Sequence, residues 1–263
     1  MNVENRQNAD RTAFRESYQR LEARMKLLAE ADGDVFLPNP QLSRPVDYLL
    51  IGMEPSLGRW ARSRAEADAK VGAGFRNFLS SIEDFILHFC IRRYLCSGSE
   101  SYGITDLSKG AMLVEQAGVA RRERYERWYG LLLEEVALVA APNAGIFAVG
   151  KEVAKHLTKR AFPRPFTALI HYSGLAASAR AAGIVGHESE FEEFRASLRL
   201  ESILATADEV LNASVPQGFR DETLTRLGRT ELSDSRKQLA FNYKLAFERH
   251  KQRDCGQNSP HAG

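Results

Sequence analysis

The segment Val46 to Gly52 (VDYLLIG) constrains this chain more than any other. It is a short, nearly continuous apolar run closed by Pro45 and Gly52. A strand with one polar residue in seven must be covered on both faces, which calls for helices above and below a parallel sheet. Three further runs fit the same description: Tyr102–Leu107 (YGITDL), Gly145–Gly150 (GIFAVG) and Phe166–Tyr172 (FTALIHY). Between them, apolar residues recur at helical spacing in Phe75–Leu95, Glu123–Ala141 and Glu152–Thr158. The sequence predicts an N-terminal helix over 10–31, where Phe14, Tyr18, Leu21, Met25 and Leu28 step by three and four before Asp32-Gly33-Asp34 stops it. Glu188–Leu211 and Ser233–Lys251 also read as helices, and Gly72-Ala73-Gly74 as a loop.

Strands alternating with helices predict an α/β fold. The expectation is a single three-layer domain over 1–200 with a central, mostly parallel four-stranded sheet flanked by helices. A helical C-terminal extension over 201–263 would end in a disordered tail. At 263 residues the chain is long enough for one sizeable core.

Composition narrows the function classes. Hydrophobic residues make up 44% and charged residues 27%, an ordinary globular mixture. The net charge of +2 does not announce a nucleic-acid partner, so any such signal must be local. No apolar run is long enough for a bilayer; the best, Leu131–Gly150, is broken by Glu134, Glu135, Pro142 and Asn143. The first residues lack the apolar core of a signal peptide. Three cysteines, Cys90, Cys96 and Cys255, argue against a disulfide framework or a four-cysteine metal site. A cytoplasmic monomer with no metal, no cofactor and no membrane partner is expected.

Gly145-x4-Gly150-Lys151 imitates a phosphate loop, but Glu152 stands where Ser or Thr should bind magnesium. Its four intervening residues are strand formers. In parallel α/β sheets the ligand site lies at the carboxyl ends of the strands. Those ends read Gly52-Met53-Glu54-Pro55-Ser56, Ile104-Thr105-Asp106-Leu107, Val149-Gly150-Lys151 and His171-Tyr172-Ser173-Gly174-Leu175-Ala176-Ala177.

These four segments, in this order, resemble the motifs of the uracil-DNA glycosylase superfamily, closest to its mismatch-specific and single-strand-selective branches. The likeness covers about residues 46 to 180. The first is similar to the Gly-x-(Asp/Asn/Glu)-Pro motif, and the last keeps the His, Ser, Leu and final Ala of His-Pro-Ser-Pro-Leu-Ser-Ala while lacking both prolines. The resemblance implies a monofunctional DNA glycosylase that flips a damaged or modified base and hydrolyses its N-glycosidic bond, leaving an abasic site.

It also implies residue roles. Glu54 would stabilise positive charge on the sugar and orient the attacking water; a solvated Glu in a turn is the bland alternative. His171 would donate to the departing base, or be a core histidine satisfied by backbone. Phe75 would stack on the flipped base, with Phe78 read as core, and Met53 would share in recognising the base. Leu175 would wedge into the base stack, or be an ordinary half-buried leucine. Ser56, Arg59, Lys151 and Ser173 would meet the DNA backbone. Basic residues cluster at Arg59, Arg62 and Arg64, at Arg121, Arg122, Arg124 and Arg127, and at Lys151, Lys155, Lys159, Arg160 and Arg164, where phosphates would run.

Asp106 stands where the family often has Asn. Ionised, it offers acceptors only and would favour an amino-bearing edge such as that of cytosine. A modified cytosine, as in phage DNA, would make the enzyme one of defence. The competing expectation is that Asp106 caps a helix that follows. Two other functions stay open: a glycosylase fold that binds nucleic acid without cutting, and a hydrolase of free nucleosides or nucleotides.

Overall fold

The computed structural model describes residues 3–58, 60–96, 98–112, 121–172 and 176–257. The main sheet has four strands, β2 (Val46–Gly52), β3 (Tyr102–Asp106), β5 (Ala140–Val149) and β6 (Thr167–Leu169), in the order β3-β2-β5-β6 and flanked by helices. Pairings β2–β3 and β2–β5 are parallel. This is the expected α/β architecture. Two residues each of β1 (Val35–Phe36) and β4 (Gly110–Ala111) form a separate antiparallel pair. Among the described residues no helix is long and apolar enough to cross a membrane.

The chain divides into two compact units, residues 1–78 with 101–166, and residues 79–100 with 167–263. In the first, helix α1 (Val3–Ala31) packs on α4 (Arg121–Val139). Leu21, Met25 and Ala29 bury against Trp128, while Phe14 and Tyr18 enter the main core with Leu49, Ile51, Leu132, Val136 and Ile146. Helices α2 (Arg64–Gly72) and α5 (Lys151–Lys159) complete this unit. Strand β5 starts five residues earlier than the sequence predicts. Its register on β2 slips between Val46 and Tyr48, and Arg164 caps the displaced carbonyls of Pro142 and Ala144 at 3.1 and 2.7 Å. Entry to α5 requires φ 108 at Gly150, a conformation open to glycine and strained for other residues.

The second unit holds α3 (Ile82–Cys90), its π-helical continuation Ile91–Leu95, β6, and helices α6 (Ala177–Ala182), α7 (Glu188–Ser197), α8 (Leu200–Ser214), α9 (Gln217–Leu227) and α10 (Asp234–Gln257). Its core gathers around α10, where Phe241 meets Phe191 and Phe194 at ring-centroid distances of 5.4 and 5.3 Å.

Three expected elements are shorter than predicted. The helix over Phe75–Leu95 begins only at Ile82, because Ser81 and Asp84 form a reciprocal capping box that starts the helix there. The long helix Glu188–Leu211 is two helices. Leu198 and Ile203 are both buried five residues apart, off the helical repeat, and the chain is extended at Leu198 and Arg199. Strand β6 stops at Leu169, and the Ile170 carbonyl accepts the Tyr243 hydroxyl at 3.2 Å instead.

Candidate active site

The first unit places Glu54 and Asp106 at adjoining strand ends. Gly52 and Asp106 are register partners. The ladder runs on past them, with Leu107 N donating to Gly52 O at 3.0 Å and Ser108 N to Met53 O at 3.3 Å. This fixes the chain directly before Glu54. A Cβ at position 52 would overlap the Asp106 carboxyl oxygen and press on Phe78 at 3.3 Å, so any larger residue there requires one of the two to shift.

Glu54 is not a solvated turn residue; its side chain is only 4% exposed. Arg121, the first residue of α4, pairs with Oε1 at 2.7 Å, and the Tyr125 hydroxyl donates to Oε2. Burial raises the Glu54 carboxyl above its ordinary value, while Tyr125 and Arg121 pull it back. Tyr125 in turn is held well above the ordinary phenol range by burial and by the Glu54 charge. The arrangement orients a buried carboxylate with two donors, so its direction is set before any ligand arrives.

Asp106 is 4% exposed and caps nothing. Residues 107–112 contain the short strand β4 rather than a helix, so the capping expectation is overturned. Its Oδ2 accepts instead from Asn77 Nδ2 at 2.5 Å, and the same amide lies 3.5 Å from Asn39 Oδ1. Burial, followed by the Glu54 and Glu135 charges, pushes the Asp106 carboxyl up to about 8 against the pull of Lys109 and Asn77. At neutral pH it is therefore protonated, with one donor and one acceptor. The expectation of acceptors only was for the ionised group; protonated, the carboxyl offers a donor as well.

Behind Asp106 lies a sealed polar network. Lys109 and Glu135, 1% and 2% exposed, pair at 2.6 Å. Thr105 donates to Glu135 at 2.7 Å, and Tyr18 at 3.3 Å. Lys109 also donates to Thr105 Oγ1. A buried pair of this kind is tolerated because hydrogen bonds occupy its remaining lone pairs.

The other expected residues are placed as follows. Met53 is half-buried against the main core. Ser56 is exposed, and its carbonyl accepts Trp60 Nε1 at 2.7 Å. Phe75 stacks on Trp60, with centroids 4.5 Å apart, in a small core with Leu37 and Leu57. The aromatic beside Gly52 is Phe78, buried and at φ 58. That left-handed backbone is costly for a bulky residue. Lys151 is exposed at the start of α5. His171 belongs to the second unit, two residues beyond β6, its ring stacked on Tyr172 with centroids 4.7 Å apart. Arg59, Ser173 and Leu175 lie outside the described residues.

Sequence reasoning missed Tyr125, Asn77, Lys109 and Glu135. A signal existed for Tyr125: Arg121, Tyr125, Tyr129 and Leu132 follow one helical stripe, and polar tips on an apolar stripe mark a built site. Asn77 gave no signal, because it falls within the helix predicted there.

The fold is thus of the parallel α/β class with its candidate site at strand ends. Comparison with family models, with curated proteins and with solved structures returned no match.

Proposed function

We propose that this chain is a monofunctional DNA glycosylase acting on a flipped, damaged or modified base. The observation that carries the reading is the placing of two buried carboxyl groups at neighbouring strand ends, Glu54 oriented by Arg121 and Tyr125, and Asp106 raised to about 8 by burial. Two buried carboxyl groups with different partners, Glu54 held by Arg121 and Tyr125 and Asp106 by Asn77, are suited to different roles in one reaction. Glu54 stabilises the developing oxocarbenium and orients water. Asp106 reads the base edge. Because it carries a proton below about pH 8, it accommodates a keto edge as well as the amino edge of a modified cytosine.

The test is base release from DNA containing uracil, hypoxanthine or 5-modified cytosines, with abasic sites cleaved by hot alkali. Wild type is expected to release at least one base, and Glu54→Gln to lose turnover while retaining DNA binding. Equal turnover by Glu54→Gln would sink the assignment.

One observation favours a second reading, a module that binds nucleic acid without cutting it. Both Glu54 oxygens are already engaged, by Arg121 and by Tyr125. DNA binding with no release from any substrate would support that reading.

A further inference from the structure

Helices α4 and α5 enclose a cleft of about 770 Å³, wholly within the first unit. Sequence order separates its walls by some thirty residues, and two basic clusters meet across it: Arg121 and Arg122 on α4, Lys155 and Lys159 on α5. Lys155, His156 and Lys159 follow helical spacing, so they present one face.

Two nitrogens in this lining are buried with no hydrogen-bond partner among the described residues, His156 Nε2 and Arg121 Nε. His156 is 8% exposed, its ring wedged edge-on between Tyr125 and Tyr129 at 5.3 and 5.7 Å. Unsatisfied buried polar atoms are costly, and both are closed to solvent, so a ligand reaches them only when their side chains turn toward the cleft. Glu123, Glu126 and Glu152 also line the cleft, but Glu126 is engaged by Arg160 at 3.1 Å.

We infer that the α4–α5 cleft binds a phosphate group between Arg122 on α4 and Lys155 and Lys159 on α5, with His156 and Arg121 in its wall. An oxyanion suits three exposed cations that two helices bring to one concavity. Arg121 joins the cleft to Glu54, because its Nη2 holds the Glu54 carboxylate. A bound phosphate and Glu54 therefore draw on the charge of the same guanidinium. If the phosphate belongs to a DNA strand, that part of the inference rests on the glycosylase reading; phosphate binding itself does not.

The experiment measures binding of inorganic phosphate by calorimetry, and of a fluorescent single-stranded oligonucleotide by anisotropy, at matched ionic strength. Phosphate is expected to bind in preference to chloride and to shift the His156 imidazole signals in NMR. Lys155→Ala/Lys159→Ala, both exposed, should weaken phosphate binding by roughly fivefold without affecting folding. Glu54→Gln, which releases Arg121, should tighten it. Loss of oligonucleotide binding in the double variant identifies the ligand as a phosphodiester strand. Its retention, with phosphate binding lost, identifies a small phosphorylated molecule. Phosphate binding no better than chloride, or unchanged in the double variant, overturns the site. Neither outcome depends on base release, so the two proposals fail separately.

Discussion

Gly52 and Asp106 face each other across the β2–β3 ladder so closely that the glycine has no room for a methyl group. The carboxyl of one strand end thus occupies the space over the backbone of the next. Gly52→Ala must push Asp106 or Phe78 aside, and overpacking of this kind costs about 1–3 kcal/mol. Urea denaturation should show the loss, and base release should fall with it. An alanine variant of unchanged stability would show that the strand end is pliant.

Tyr125→Phe removes one of the two donors to the buried Glu54 carboxylate. The variant should lose about 1–3 kcal/mol, the cost of an unsatisfied buried acceptor. Because that hydrogen bond lowers the Glu54 carboxyl, its loss raises it further. The acid limb of a pH–rate profile should move to higher pH, and an unmoved limb would show that Tyr125 does not tune Glu54.

Lys109 and Glu135 form a sealed pair. Lys109→Met strands the Glu135 charge and should cost about 3–5 kcal/mol. The double variant Lys109→Met/Glu135→Leu should be more stable than Lys109→Met alone. A double-mutant cycle in guanidinium measures this, and strict additivity would mean that the two charges are not coupled.

Asp106 sets a pH dependence whose sign follows from its raised value. The folded chain holds its proton up to about 8, while an unfolded carboxyl releases it near the ordinary 3.8. Across that window the folded state binds more protons, so stability falls as pH rises from about 4 to about 8. Asp106→Asn should flatten this slope, which thermal denaturation at several pH values would reveal. In base release, uracil should lose ground to amino-bearing bases above about pH 8, as Asp106 becomes an acceptor only.

Much of the architecture was legible because burial writes itself as periodicity. Val46–Gly52 is predicted and observed with the same bounds, and Phe14, Tyr18, Leu21 and Met25 form the buried stripe that their spacing requires. Elements defined by local competition were harder to read. The Ser81–Asp84 capping box displaced a helix start by seven residues, and Phe78, read as part of a helical stripe, takes a left-handed turn.

By itself, the sequence determined the order of strands and helices and the presence of Glu54 and Asp106 at two strand ends. Apolar patterning specifies which faces must leave water, and parallel strands bring their carboxyl ends to one edge. Only the tertiary structure decided the state of those groups. Tyr125 and Arg121 reach Glu54 from a helix some seventy residues away, and burial beside Glu54 and Glu135 holds the proton on Asp106. Charge state depends on solvent exclusion and on neighbours distant in the chain, and neither is a property of a residue's own segment.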